Sequence, residues 1–280
     1  MDISLVICTR NRATQLERSL ARLGELQTTL SWECVVVDSA STDLTHTVLE
    51  EWAASVPISV TLLTAARPGL GRAHNIGWKA ARAPLVAMID DDCYPNPDFL
   101  DAVAKCFAED TALGFIGGRV LLYDPTDLRM TIMEETERRN FAPGSFLLPG
   151  SIQGANFAFR RATLEDIGGF DEMFGPGAHF NAEDVDAVTR ASAAGWHGAY
   201  DPRPVVYHHH GRKTLEELDH LIKSYSKGAG AYYAKCLLDS RLRRVTLREW
   251  NRTLQLHGRR NIPRVLAAGA EFYVRRLMHR

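Results

Sequence analysis

The chain lacks a dominant charge. Its 33 basic and 34 acidic residues leave a net of -1, which excludes a strongly basic nucleic-acid binder. Cysteine is scarce and unpatterned. Cys8, Cys34, Cys93, Cys106 and Cys236 are odd in number and form no C-x-x-C pair. That argues against a disulfide framework and for a reducing compartment. No apolar run approaches the ~20 residues that span a bilayer. The opening Met1-Asp2-Ile3-Ser4 lacks the basic and apolar regions of a signal peptide. A cytoplasmic protein is therefore expected. Internal repeats and low-complexity linkers are also missing. With 280 residues, 45% apolar and 24% charged, the chain is globular in composition and long enough to bury a core without staples.

What charge there is lies unevenly. Residues 241–280 hold eleven arginines against Glu249 and Glu271, a net of +9, so the remainder carries -10. Arg243, Arg244, Arg248, Arg252, Arg259, Arg260, Arg275 and Arg276 are interleaved with Trp250, Leu254, Phe272 and Tyr273. A solvated helical face accounts for such a pattern. So does peripheral contact with the inner face of an anionic cell membrane, which would suit a lipid-linked acceptor.

In the first half, short apolar runs alternate with amphipathic stretches. Strands are expected at 3–8, 34–37, 58–63 and 85–89, and helices at 13–26, 45–54, 71–81 and 97–108, the last with Pro97 in its first turn. This alternation predicts βαβ units, a mostly parallel sheet, and a ligand beyond the carboxyl ends of its strands. The polar residues cluster there: Thr9-Arg10-Asn11, Asp38 to Asp43, and Asp90-Asp91-Asp92. Further on, strands are expected at 115–122 and 156–159, a charged helix at 130–139, and a helix from Asn181 to Ala194 closed by Gly195. From Leu215 the pattern is helical, broken near 228–230 and at Pro263.

Four constellations carry chemistry. Three adjacent carboxylates repel unless a cation neutralises them. In an extended segment Asp90 and Asp92 would face the same way and converge on one ion, with Mg²⁺ or Mn²⁺ suited to such oxygen donors. A solvated turn is the plainer explanation. In His208-His209-His210, alternate residues share a side, so His208 and His210 face together and His208 could complete that site. In Asn181-Ala182-Glu183-Asp184, Asn181 capping the helix and Asp184 closing a capping box explain the start; equally, one carboxylate could be a general base. Gly69-Leu70-Gly71-Arg72-Ala73-His74-Asn75 opens a helix without completing G-x-G-x-x-G, leaving Arg72 as a candidate diphosphate contact.

Taken in order, these pieces resemble a family 2 glycosyltransferase with the GT-A fold, over residues 3–212. The matching segments are Val6-Ile7-Cys8-Thr9-Arg10-Asn11-Arg12, Val36-Val37-Asp38-Ser39-Ala40-Ser41-Thr42-Asp43, the Gly69 to Gly77 stretch, Met88-Ile89-Asp90-Asp91-Asp92, Gly154-Ala155-Asn156-Phe157-Ala158-Phe159-Arg160-Arg161, Gly168-Gly169-Phe170-Asp171-Glu172, Glu183-Asp184, and His208. Two positions differ from the family's usual residues: Ser39 in the second-strand loop and His74 in the glycine loop.

The resemblance implies an α/β GT-A domain over 1–212, with a nucleotide-sugar half (1–120) and an acceptor half (121–212), its mostly parallel sheet flanked by helices. A helical basic extension follows at 213–280. It implies inverting transfer from a nucleotide diphosphate-sugar donor to a glycan or lipid-linked acceptor, as in cell-envelope polysaccharide or glycoconjugate synthesis. Under it, Thr9, Arg10, Asn11, Asp38, Arg72, Asn75, Asp90, Asp91, Gly154, Ala155, Asn156 and Glu183 bind the donor. Asp90, Asp92 and His208 hold Mn²⁺ or Mg²⁺, and Asp184 is the base. Two other activities share part of this pattern. A sugar-phosphate nucleotidyltransferase would need a glycine-rich triphosphate loop near the first strand, and Thr9-Arg10-Asn11-Arg12 has no glycine. A non-catalytic sugar-nucleotide-binding scaffold would not need Asp184.

Overall fold

The computed structural model describes residues 1–278. Its first part is an alternating series: β1 (Ile3–Thr9), α1 (Ala13–Leu23), β2 (Trp32–Asp38), α2 (Thr45–Ser55), β3 (Ser59–Thr64), α3 (Leu70–Ala80), β4 (Leu85–Asp90), the short β5 (Cys93–Pro95) and α4 (Phe99–Glu109). Then come β6 (Leu113–Leu122), β7 (Arg139–Phe141), β8 (Asn156–Arg160), α5 (Arg161–Asp166), α6 (Glu183–Ala193) and β9 (His197–His208). The chain ends in α7 (Leu215–Leu238), α8 (Arg243–Arg248), α9 (Trp250–Leu256) and α10 (Gly258–Met278).

The strands form one sheet in the order β3-β2-β1-β4-β8-β6-β9-β5, with β7 paired to β9. β3, β2, β1 and β4 are mutually parallel, and β6 is parallel to β9; β8 is antiparallel to both its neighbours. The mostly parallel α/β sheet is therefore as expected. The reason is visible in β1. Ile3, Leu5 and Ile7 point to one apolar layer and Val6 and Cys8 to the other, so both faces are buried and five of the strand's seven residues are apolar. One layer is closed by Leu16 and Leu20 of α1 and Phe99, Val103 and Phe107 of α4. The other is closed by α3, α6 and the C-terminal helices, through Ala229, Tyr232, Tyr233, Val265 and Phe272.

Four expectations about elements fail, each for a tertiary reason. Residues 130–139 form no helix. Met133 instead exchanges backbone hydrogen bonds with Val120, and Arg138 reaches Asp110. Of the charges that suggested a helix face, Arg138 pairs with Asp110 and Arg139 lies over the Tyr200 ring of β9, while Glu134 and Glu135 pair nearby with Arg129 and Arg139. Pro97 precedes α4 rather than sitting in its first turn. α7 runs unbroken through Gly228 and Gly230, where a side chain would collide with the carbonyl oxygens of Asn181 and Val265. These glycines permit close approach and do not end the helix. Pro263 lies inside α10. The hydrogen bond it forgoes, worth up to ~3 kcal/mol with its strain, is outweighed by packing of Val265, Ala268 and Phe272.

Candidate active site

A cleft of about 430 Å³ opens at the carboxyl ends of β1, β2 and β4, a volume within the range of small-molecule sites. Its sheet wall comprises Cys8, Thr9, Arg10, Arg12, Ser39 and Asp90 to Asp92. Its opposite wall comprises Gln153 to Ala155 and Asn181 to Val185, and His208 and Arg212 close one end.

The aspartate triplet is split by its neighbours. Asp90 ends β4, and the chain turns at Asp91 and Asp92 before β5. The alternation of an extended strand therefore does not bring Asp90 and Asp92 together. Asp91 accepts from Thr9 Oγ1 at 2.5 Å and lies 3.6 Å from Arg12 Nε. Asp92 lies 3.2 Å from Arg12 Nη2 and 3.1 Å from His208 Nε2. Asp90 has no ion-pair partner among the described residues. Burial, then the charge of Asp92, pushes Asp90 up to about 7 and Asp91 to about 6. Burial also acts against the charged Asp92, but the hydrogen bond and charge of His208 outweigh it and hold Asp92 below its usual value. Burial lowers His208, and the Asp92 contact reverses that and raises it.

β5 pairs with β9 so that Cys93 sits opposite His208. Among the described residues, the set whose donor atoms lie within 4.8 Å of one another is Asp92, Cys93 and His208. Burial raises the Cys93 thiol well above its usual range, so it is neutral when no ion is bound. His210 stands 5.2 Å from His208, sharing its side, and bonds the Leu128 carbonyl. His209 turns away and meets Tyr94 Oη at 2.8 Å.

On the opposite wall the capping explanation of Asp184 fails. Ala182 holds the N-cap position of α6 at φ 93°, no side chain caps the helix, and Asn181 donates to Ser224 Oγ of α7. Asp184 accepts instead from the Gly154 N–H at 2.9 Å and the Val185 N–H at 2.7 Å. Burial raises its carboxyl against those bonds. Glu183 is raised well above its usual value by burial, then by the charge of Asp184.

Thr9, Arg10, Asp90, Asp91, Asp92, Gly154, Ala155, Glu183, Asp184 and His208 all line the cleft. Five expected donor contacts do not. Asn11 accepts from the Thr42 N–H and ties two loops together. Asp38 is buried and accepts from the Ser41 N–H. Arg72 pairs with Glu172 at 2.8 Å. Asn75 exchanges two hydrogen bonds with the Phe170 backbone. Asn156 donates to the carbonyls of Arg119 and Pro204. They brace the frame because each is the polar residue nearest an unpaired backbone group or loop. His74 packs 4.7 Å from Phe170 and is pushed down to about 3 by burial, so it brings no charge to the glycine loop.

Sequence reading missed other cleft residues. Arg12 bridges two aspartates, and its place in Thr9-Arg10-Asn11-Arg12 was the available signal. Thr131, in the segment expected to be helical, lies beside His208 Nδ1 at 3.3 Å. Leu221, Tyr225 and Ala229 of α7 and His257 complete the lining from the far end of the chain, with no local signal.

Comparison with known proteins places this geometry. Residues 4–168 match the family described as glycosyl transferase family 2. Validoxylamine A glucosyltransferase of Streptomyces hygroscopicus is 32% identical over 124 residues, covering 44% of this chain and 29% of that protein. Chondroitin synthase of Escherichia coli is 30% identical over 241 residues, covering 74% of this chain and 34% of that one. The chain thus spans about a third of the length of these relatives. Among solved structures, the mannosyltransferase PcManGT of Pyrobaculum calidifontis, in complex with GDP-Man and Mn²⁺, superposes with a TM-score of 0.68 at 22% identity, over 95% of this chain and 73% of that one. S. aureus TarS with UDP-GlcNAc superposes at 0.67 and 16% identity, over 97% and 80%.

Proposed function

The chain belongs to glycosyl transferase family 2, and from that premise we propose that it moves a sugar from a nucleotide diphosphate-sugar to an acceptor hydroxyl, with inversion, in the cleft between Asp90 to Asp92 and Asp184. The observation that carries this reading is Asp184. It closes no capping box, holds the Gly154 and Val185 N–H groups, and faces the cleft with a raised carboxyl. A carboxylate so placed accepts the proton of the attacking hydroxyl. The hydroxyl oxygen bonds to the anomeric carbon as the bond to the diphosphate oxygen breaks on the opposite face. One displacement of this kind inverts the centre. Arg10, Arg12 and Arg212 line the path of the departing diphosphate.

The acidic wall fits a divalent cation: Asp92 and His208 supply adjacent oxygen and nitrogen donors, and Asp90, with no ion-pair partner among the described residues, supplies a further oxygen. In this reading those three residues hold Mn²⁺ or Mg²⁺, which when bound neutralises charge on the diphosphate. In this reading Thr9, Ser39 and Asp91, which line the cleft at the strand ends, would hold the nucleoside. Gly154, Ala155 and Tyr225 lie toward the acceptor, a glycan or lipid-linked hydroxyl. The relatives named above are a validoxylamine A glucosyltransferase and a chondroitin synthase, which supports a glycoconjugate product.

The test is a screen of nucleotide-sugars that measures nucleoside diphosphate release with Mn²⁺ present and with chelator. Release from one donor class, lost on chelation and restored by Mn²⁺ or Mg²⁺, is expected. Release undiminished in excess chelator would remove the metal assignment, and no release from any donor would remove the transfer reading.

A further inference from the structure

The α10 helix is turned inside out for a surface helix. Its buried side carries Val265, Ala268 and Phe272, packed against the core. Its outer side is apolar too. From Pro263 to Met278 every exposed residue is apolar or aromatic. Leu266, Ala270, Tyr273, Val274 and Leu277 recur at i, i+4, i+7, i+8 and i+11, which makes one continuous stripe. Leu266 is 51% exposed, Tyr273 49%, Val274 53% and Leu277 53%. The same helical periodicity carries exposed Arg259 onto this side two turns before the stripe begins, with exposed Arg260 on its flank. Seven of the fifteen large apolar side chains that stand exposed fall within residues 243–278.

The surroundings say what covers this stripe. Arg243, Arg244, Arg248 and Arg252 are all exposed on the adjoining α8 and α9, beside exposed Leu247 and Leu256. The acidic residues of the region are already matched, Glu249 by Arg252 and Glu271 by Lys227 and Arg275. A second copy would bring +9 against +9 and is disfavoured. Among the described residues no helix is long and apolar enough to cross a membrane. An outward apolar stripe on a helix that follows two arginine-bearing helices suits the plane of an anionic bilayer surface, with the stripe in the acyl boundary and the exposed guanidinium groups among the phosphates. We propose that α10, with α8 and α9, docks the protein on an anionic lipid surface.

Co-sedimentation with lipid vesicles reads this without donor or acceptor, so its failure and that of the transfer reading are separable. The chain should partition onto vesicles containing phosphatidylglycerol at least tenfold better than onto phosphatidylcholine alone. Leu266→Glu with Val274→Glu, both on the exposed side, should lower that partition at least tenfold with melting temperature and donor turnover unchanged. Arg243→Glu with Arg244→Glu should weaken binding several-fold on the anionic vesicles only. The proposal is overturned if the parent stays in the supernatant with anionic vesicles, or if the Leu266/Val274 variant sediments like the parent. It is equally overturned if light scattering finds a parent dimer that this variant dissolves while neither form binds vesicles.

Discussion

On the sheet side of the cleft, Asp92 lies 3.1 Å from His208 and 3.2 Å from Arg12, and its carboxyl is held below its usual value. On the helix side, Asp184 meets backbone N–H groups alone, has no cation among the described residues, and is raised. Both are aspartates facing one cavity. The difference lies in their partners. A carboxylate matched by cations stays charged. A carboxylate desolvated without one holds a proton more readily and so makes a better base at neutral pH. On the proposed reading the two walls would divide the work of charge neutralisation and proton acceptance.

The sharpest way to break this comparison is Asp184→Asn, which keeps the acceptor oxygen for Gly154 but removes basicity. Turnover should fall ~10²–10⁴-fold while donor affinity and melting temperature persist. Glu183→Gln is the paired control and should cost far less. Parental turnover in a folded, donor-binding Asp184→Asn would return this residue to a structural role.

A smaller effect is expected on the other wall. Asp92→Asn and His208→Ala should each raise the metal concentration needed for half-maximal activity by roughly 10–100-fold, with donor KM rising alongside. His209→Ala, whose ring points toward Tyr94, should leave both unchanged. Equal effects at His208 and His209, in a metal titration of initial rates, would contradict the division.

The pH profile sharpens the same contrast. A base must be ionised, so kcat should decline as pH falls through the raised Asp184 value, placing the acid limb above the ordinary carboxylate range. The like charge that raises it is Asp186, whereas burial holds the Glu183 carboxyl well above its usual value and so neutral, and Glu183→Gln should leave that limb in place. A limb at or below pH ~4 in the parent would mean that the rate-limiting base lies elsewhere.

The smallest changes in rate belong to the frame. Arg72→Ala, which removes a pair with Glu172, should alter kcat/KM less than about threefold and stability by ~0–1 kcal/mol. Asn75→Ala strands the Phe170 N–H and carbonyl. It should cost ~1–3 kcal/mol in denaturant unfolding with donor affinity little changed. A large donor KM effect at Arg72 would put it back in the cleft.

Much of this was legible in the chain itself. Where both faces of a strand are buried, apolar runs are unbroken, and their ends mark the ligand edge; Thr9 and Asp90 to Asp92 were found in that way. The aspartate triplet and His208 were legible because they close short segments of known direction. Asn75, Asn156 and Asp38, expected at the donor, bond backbone groups and do not line the cleft, because a polar residue beside a motif looks the same whether it faces a ligand or an orphan backbone group. Tyr225 and Leu221 were not legible at all, since α7 reaches the cleft from more than a hundred residues beyond the aspartates.

The sequence by itself determined the sheet, its polar edge and the basic character of the last forty residues, because these follow from local periodicity and charge. Only the tertiary structure decided that Asp184 leaves its helix cap for Gly154, that Gly228 and Gly230 join helices rather than end one, and that α10 turns an apolar stripe outward. The physical reason is common to all three. A backbone hydrogen bond, a close approach and an exposed face depend on which surfaces meet. That is settled by packing between segments distant in the chain, where no local propensity reaches.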